Sequence, residues 1–281
     1  MSRNPLTPRQ ITPRLLGGLM LLGGATGLAG TASAFPVRLH SALVTAASPG
    51  QPAGEAQIWL AQAEGGEGGE AGAVADAPAD LAFLARLHIV EGHLRGAVAL
   101  YHQGLTDEAI GVAYHPEAEM MDEVRADLAA RGLADFSAEL AAVGTAMETT
   151  GAGEAVDAAM ANLTQAIARA AAPETDAKRL RADALALLLR AAASDYATAI
   201  ASPEAIDIVP FAESHGFVMT ARERATELAA DADPAVAKAG QKMLTALAEA
   251  ESLFEGEPTA GDPAVLLATA ARFELAASGV K

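Results

Sequence analysis

The 281-residue chain contains no cysteine. Disulfides are therefore excluded, and so are thiolate metal sites, cysteine-linked haem and a lipid-modified cysteine behind an export signal. Aromatic residues are scarce at 4 %, with Trp59 the single tryptophan. Any core must rest on aliphatic side chains and alanine, the best helix former. Basic residues are also few, 19 against 36 acidic ones, for a formal net charge of −17. That balance argues against nucleic acid or an anionic membrane as partner, and leaves cations or a basic protein partner. Gly-x-Ser-x-Gly, a phosphate loop, a dinucleotide fingerprint and His-Glu-x-x-His are all missing. Enzymatic activity is therefore not the first expectation.

Long apolar runs are absent except at the start. Arg3, Arg9 and Arg14 precede an apolar stretch over residues 15–30, and Ala32-Ser33-Ala34 places small residues where a signal peptidase reads. This is the pattern of a Sec-type signal peptide over residues 1–34, with the mature chain starting near Phe35 in the periplasm. Kept uncleaved, the run would be an anchor, although its glycines make a poor membrane helix. After cleavage nothing is left to engage a membrane.

Residues 35–79 read as a low-complexity, disordered linker. Ser48-Pro49-Gly50-Gln51-Pro52 breaks regular structure, and residues 64–72 alternate glycine with glutamate, a composition that cannot bury a core. Ile58-Trp59-Leu60 is a short apolar island within it.

Residues 80–281 form the helical domain. Asp80 opens a helix to residue 102, and Gly104 ends it. Thr106 opens a short helix to residue 114. Pro116 fits the first turn of the next, which Gly132 closes. Further helices are predicted over residues 136–148, 154–171, 175–201 and 210–230. Asp233-Pro234 and Asp262-Pro263 each start one more, ended by Gly256 and Gly279. The only strand candidate, residues 206–209, is short. The fold class is all-α, an antiparallel helical bundle of about seven to nine helices with short loops.

Histidine carries the chemical signal. His88, His93, His102 and His115 fall within one short stretch, with His40 in the linker and His215 far downstream. On a helical wheel Leu87, Val90, Leu94, Ala97, Val98 and Tyr101 form the apolar face, with His93 at its edge and His88 on the far side. His88 and Glu91 are three apart and can share an ion. Gly92 and Gly96 form a small groove suited to close helix contact. His115, placed as a cap before Pro116, has Glu119 four residues on, within reach of the same ligand.

His93, His115 and Glu119 are the leading metal candidates, with His88, Glu91 and His215 behind them. Such a mixed nitrogen and oxygen set suits zinc, iron, manganese or copper(II). Glu213-Ser214-His215 echoes Glu91-Gly92-His93, and two histidines facing across a bundle could instead ligate haem. The competing expectation is a structural or partner-binding helical protein with no cofactor. The methionines are scattered, with Met120-Met121 the only adjacent pair, and read as core filling.

The run Glu91-Gly92-His93-Leu94, Leu100-Tyr101, Gly104 and His115-Pro116 with Glu119 resembles exported all-helical bacterial proteins of unassigned function. Residues 196–200, 216–218 and 272–276 continue the likeness. It implies no activity, but it singles out His93, His115 and Glu119. A fainter similarity is to imelysin-like periplasmic helical proteins, some tied to iron uptake, whose motif is Gly-x-His-x-x-Glu. His88-Ile89-Val90-Glu91 matches its second half, with Arg86 in place of the glycine. This likeness implies metal handling.

Overall fold

The computed structural model describes residues 69–149, 151–174, 177–202 and 204–281. The expected signal peptide over residues 1–34, most of the expected linker and the Ile58-Trp59-Leu60 island lie outside the described residues. All described residues belong to the unit Trp59–Lys281.

The described chain is an all-α bundle of ten helices, with no strand. They are α1 (Gly69–Val74), α2 (Ala79–His102), α3 (Thr106–Glu119), α4 (Met121–Arg131), α5 (Ser137–Met147), α6 (Gly153–Ala171), α7 (Lys178–Ala199), α8 (Ile208–Ala229), α9 (Pro234–Glu251) and α10 (Ala264–Ala277). The strand candidate, residues 206–209, is not a strand: residues 206–207 lead into α8 and residues 208–209 open it. No described helix is long and apolar enough to cross a membrane.

Most helix ends obey the local signals. Asp233 caps α9 by accepting from the Ala235 N–H at 2.8 Å, and Asp207 accepts from Val209 at the start of α8. Gly132 ends α4 in the left-handed conformation, φ 67°, where a Cβ would cost energy. Two expectations fail. Pro116 does not open a helix but lies inside α3, which continues to Glu119. Pro116 has no N–H for the Val112 carbonyl, yet its ring is buried and α3 ends only at Met120. His115 is therefore a mid-helix residue and not a cap. The second difference is α1, which falls inside the stretch read as linker. Gly69 lets α1 lie against α7, since a Cβ there would run into the Ser194 side chain.

The axis of the fold is α2, packed against α8, α7, α3 and α6. Its contact with α8 is a backbone-to-backbone approach. A Cβ on Gly216 would collide with the Gly92 carbonyl, and one on Gly96 with the Ala212 carbonyl. The expected role of Gly92 and Gly96 in close helix contact is thus met. Because helices surround it, α2 buries residues all round, including His88, Glu91 and His93. A one-sided wheel does not describe such a central helix. Helix α7 joins the same layer, with the buried Ser214 hydroxyl donating to the Ala192 carbonyl at 2.8 Å.

Candidate metal centre

His93 on α2 is fully buried, at 0 % exposure. Its Nδ1 lies 3.1 Å from the Ile89 carbonyl. A carbonyl only accepts, so this bond assigns a proton to Nδ1 and turns Nε2 toward the interior. Three carboxylates from three helices meet that nitrogen. Glu70 of α1 stands at 3.0 Å, Glu119 of α3 at 3.6 Å and Glu213 of α8 at 3.7 Å. Beyond this close ion-pair contact with Glu70, Nε2 has no hydrogen-bond partner. Phe217 walls the other side, edge-on at 5.1 Å between ring centroids.

His115 reaches the same place from α3. Its Nδ1 is hydrogen-bonded to Glu213, and its ring centroid lies 6.3 Å from that of His93. Residues 115 and 119 are one helical turn apart, so both side chains serve one face of α3. The i,i+4 reasoning survives although the cap does not. Asp195 of α7 completes the cluster. Its Oδ2 is buried with no hydrogen-bond partner, as is Oε2 of Glu70. Glu70, His115, Glu119, Asp195 and Glu213 line a cleft of about 560 Å³ that also reaches Arg86. His93 does not line it.

The electrostatics are those of crowded acids. Burial alone would lower the His93 pKa. The charge of Glu70 and its close polar contact with the ring, then the charges of Glu213 and Glu119, more than reverse this and push it up to about 10. His115 is raised, first by its hydrogen bond to Glu213. Burial, then Glu70, holds Glu119 above the usual carboxylate range. Burial with Glu70 and Glu213 raises Asp195 well above it. The two histidines are shifted toward their protonated, charged form, and Glu119 and Asp195 toward their protonated, neutral form, which is how an acid-rich cluster behaves before a cation neutralises it.

The ligand atoms of His93, His115 and Glu213 lie within 4.8 Å of one another, as do those of Glu70, His93 and Glu119. Each group can therefore converge on one ion. Of the expected residues, His93, His115 and Glu119 come together. His88, Glu91 and His215 do not join them. Glu91 is fully buried but answered by charge, accepting from Arg224 at 2.9 and 2.7 Å and from Arg95 at 2.8 Å. His88 sits beside that network with its pKa lowered to about 4, first by burial and then by Arg224. His215 stacks on Phe254 at 4.8 Å, and burial lowers its pKa.

Glu70, Asp195 and Glu213 are the functional candidates that sequence reasoning missed. The echo of Glu91-Gly92-His93 in Glu213-Ser214-His215 runs through residue 213 and is the signal the sequence holds for it. Asp195 shares a stripe with Leu188, Ala192 and Ala199, all buried. An acid on an apolar stripe was a usable signal. No protein-family model, curated protein or solved structure matches the chain.

Proposed function

We propose that this protein binds a divalent first-row transition metal inside its helical bundle and serves as a periplasmic metal-binding or accessory protein. The observation that carries the reading is His93 Nε2. It is completely buried, has no hydrogen-bond partner, and faces carboxylates delivered by α1, α3 and α8. Its Nδ1 bond to the Ile89 carbonyl is the outer hydrogen bond that metal-ligating histidines use to hold tautomer and ring orientation. His115, Glu119 and Glu213 supply the remaining donors.

The donor set favours manganese, iron(II) or zinc. Hard carboxylate oxygens combined with imidazole suit these ions, and the cluster has no sulfur to attract copper(I). Haem fits less well. A porphyrin needs an apolar slot, and the gap between the two imidazoles is occupied by Glu213. The residues that carry the imelysin-like likeness, His88 and Glu91, lie with Arg224 and Arg95 and not in this cluster. The metal reading therefore leans on His93 and not on that likeness.

The test is to express the full chain, recover it from the periplasmic fraction without a histidine tag, and measure its metals by mass spectrometry. Near-stoichiometric metal, lost in a His93→Ala variant that stays helical, is the expected result. A metal-free protein that also takes up no manganese, iron(II) or zinc would overturn the proposal. Recovery only from the cytoplasm would overturn its location.

A further inference from the structure

We infer that the cluster holds two divalent cations, an inner one on His93 and an outer one on His115, with Glu119 and Glu213 between them. This rests on the metal-binding reading above and adds the number of ions and their different accessibility. His93 belongs to both convergent groups, but its Nδ1 is bound to the Ile89 carbonyl. Only Nε2 can ligate, by releasing the proton it carries in the metal-free protein, and that one nitrogen holds one ion. The second imidazole, His115, is then left for a second ion, with Glu213 already on its Nδ1.

The carboxylates divide in the same way. Glu213 bridges the two rings, hydrogen-bonded to His115 and 3.7 Å from His93 Nε2. Glu119 lies 3.6 Å from His93 Nε2 and one helical turn from His115. Glu70 stands on the His93 side at 3.0 Å. Asp195 of α7 joins them in the cleft lining. Oε2 of Glu70 and Oδ2 of Asp195 are buried without hydrogen-bond donors, so each is available as a ligand. Four carboxylates and two imidazoles offer more donor atoms than the four to six or so that a single ion of this kind takes.

Charge gives the same number. With all four carboxylates ionised and both imidazoles neutral, one divalent ion would leave two negative charges uncompensated, whereas two ions neutralise all four. Four carboxylates and two histidines are also the donor count of di-iron and di-manganese helical bundles. The spacing here differs, with histidine first and glutamate four residues later on α3. The two positions are unequal. His93 is at 0 % exposure and does not line the cleft, while the His115 side chain is 35 % exposed and does. The outer ion therefore keeps coordination positions open to water or to a small oxyanion entering past Arg86.

The experiment uses the full chain, stripped with a chelator and titrated with manganese(II). Stoichiometry comes from equilibrium dialysis and coupling from electron paramagnetic resonance. Two ions per chain are expected, the second attenuating the signal of the first, since ions sharing such bridges lie roughly 3.5–4 Å apart. His115→Ala should retain one ion with an uncoupled signal. His115→Gln serves as a second variant should the first lose helicity by circular dichroism. One ion per chain, lost in both His93→Ala and His115→Ala, would overturn the pair but keep the single-ion reading. Two ions with additive, uncoupled signals would place the second on the acidic surface and also overturn the pair. No bound manganese, iron(II) or zinc would overturn both readings.

Discussion

Helices α2 and α8 bury two polar clusters along one contact, and the two treat charge in opposite ways. Around Glu91, each acid meets a guanidinium. Arg224 and Arg95 both donate to its carboxylate, and they are in turn paired with Glu227 and Glu223. Burial would raise the Glu91 pKa, but Arg224 and Arg95 hold it below the ordinary value. Around His93, the acids meet only imidazoles and each other, and buried atoms of Glu70, His93 and Asp195 lack hydrogen-bond partners. The first arrangement balances its charges within the protein and fastens α2 to α8, with Nδ1 of His88 and Nε of Arg95 and Arg224 left without hydrogen-bond partners. The second is compensated only when protons or cations arrive, a geometry that could hold a metal ion.

The largest expected effect comes from breaking the matched cluster. Arg224→Met leaves Glu91 buried with a single partner and should cost about 3–5 kcal/mol, read by urea denaturation. A loss below about 1 kcal/mol would mean that the pairing is not structural. Next is the helix contact on which both clusters hang. Gly216→Ala forces a methyl into the Gly92 carbonyl and should cost about 1–3 kcal/mol. It should also weaken manganese binding, because it separates Glu213 from His93. Unchanged stability would mean that the two backbones can part without penalty.

Two histidines five residues apart on α2 should give opposite pH limbs in the metal-free protein. His88 has a folded pKa near 4, below its unfolded value of about 6.5. The unfolded chain therefore holds the extra proton between these values, and stability falls as pH drops from about 6.5 to 4. His93 is raised to about 10, so its contribution is fully present below about pH 6.5 and is lost as pH rises through 10. Each limb is limited to about 1.4 kcal/mol per pH unit. Thermal melts against pH should show the acid limb flattened in His88→Leu and the alkaline limb flattened in His93→Gln. Limbs of the same sign would break the comparison.

The smallest effect sharpens it. Asp195→Asn removes one acid from the unmatched cluster, and should raise the stability of the metal-free protein by about 1 kcal/mol. The same variant should lose part of the stabilisation that manganese gives the parent. Destabilisation of the metal-free form would show that Asp195 is held by partners and not crowded by acids.

The helical class and most boundaries were legible because they depend on neighbours in sequence. Asp233 before Pro234 starts α9 as its capping chemistry requires. Gly132 ends α4 because only glycine adopts φ 67° without strain. Half of the cluster was legible for the same reason. His115 and Glu119 share a face at i,i+4 whether or not a helix starts between them. Pro116 misled because burial among neighbouring helices offsets the hydrogen bond it removes, and tertiary context overrides propensity. Glu70 was hidden because glycine and glutamate look like linker, and only the close approach of α1 to Ser194 makes Gly69 useful.

By itself, then, the sequence determined most of the helices, the ends marked by Gly132 and Asp233, and the placing of His115 and Glu119 on one helix face, all set by backbone and side-chain preferences within a few residues. Asp80 and Thr106, by contrast, form no side-chain caps. The tertiary structure alone decided which buried charges would be answered. His88, Glu91, His93 and Glu213 all ride on α2 or α8, and locally only Glu91 has a basic partner, Arg95 at i,i+4. The crossing of these helices at Gly92, Gly96 and Gly216 brings Arg224 to Glu91 and Glu213 to His93, and the docking of α1 and α3 adds Glu70 and Glu119. Coulomb interactions act between side chains distant in sequence, so their balance exists only once the helices have met.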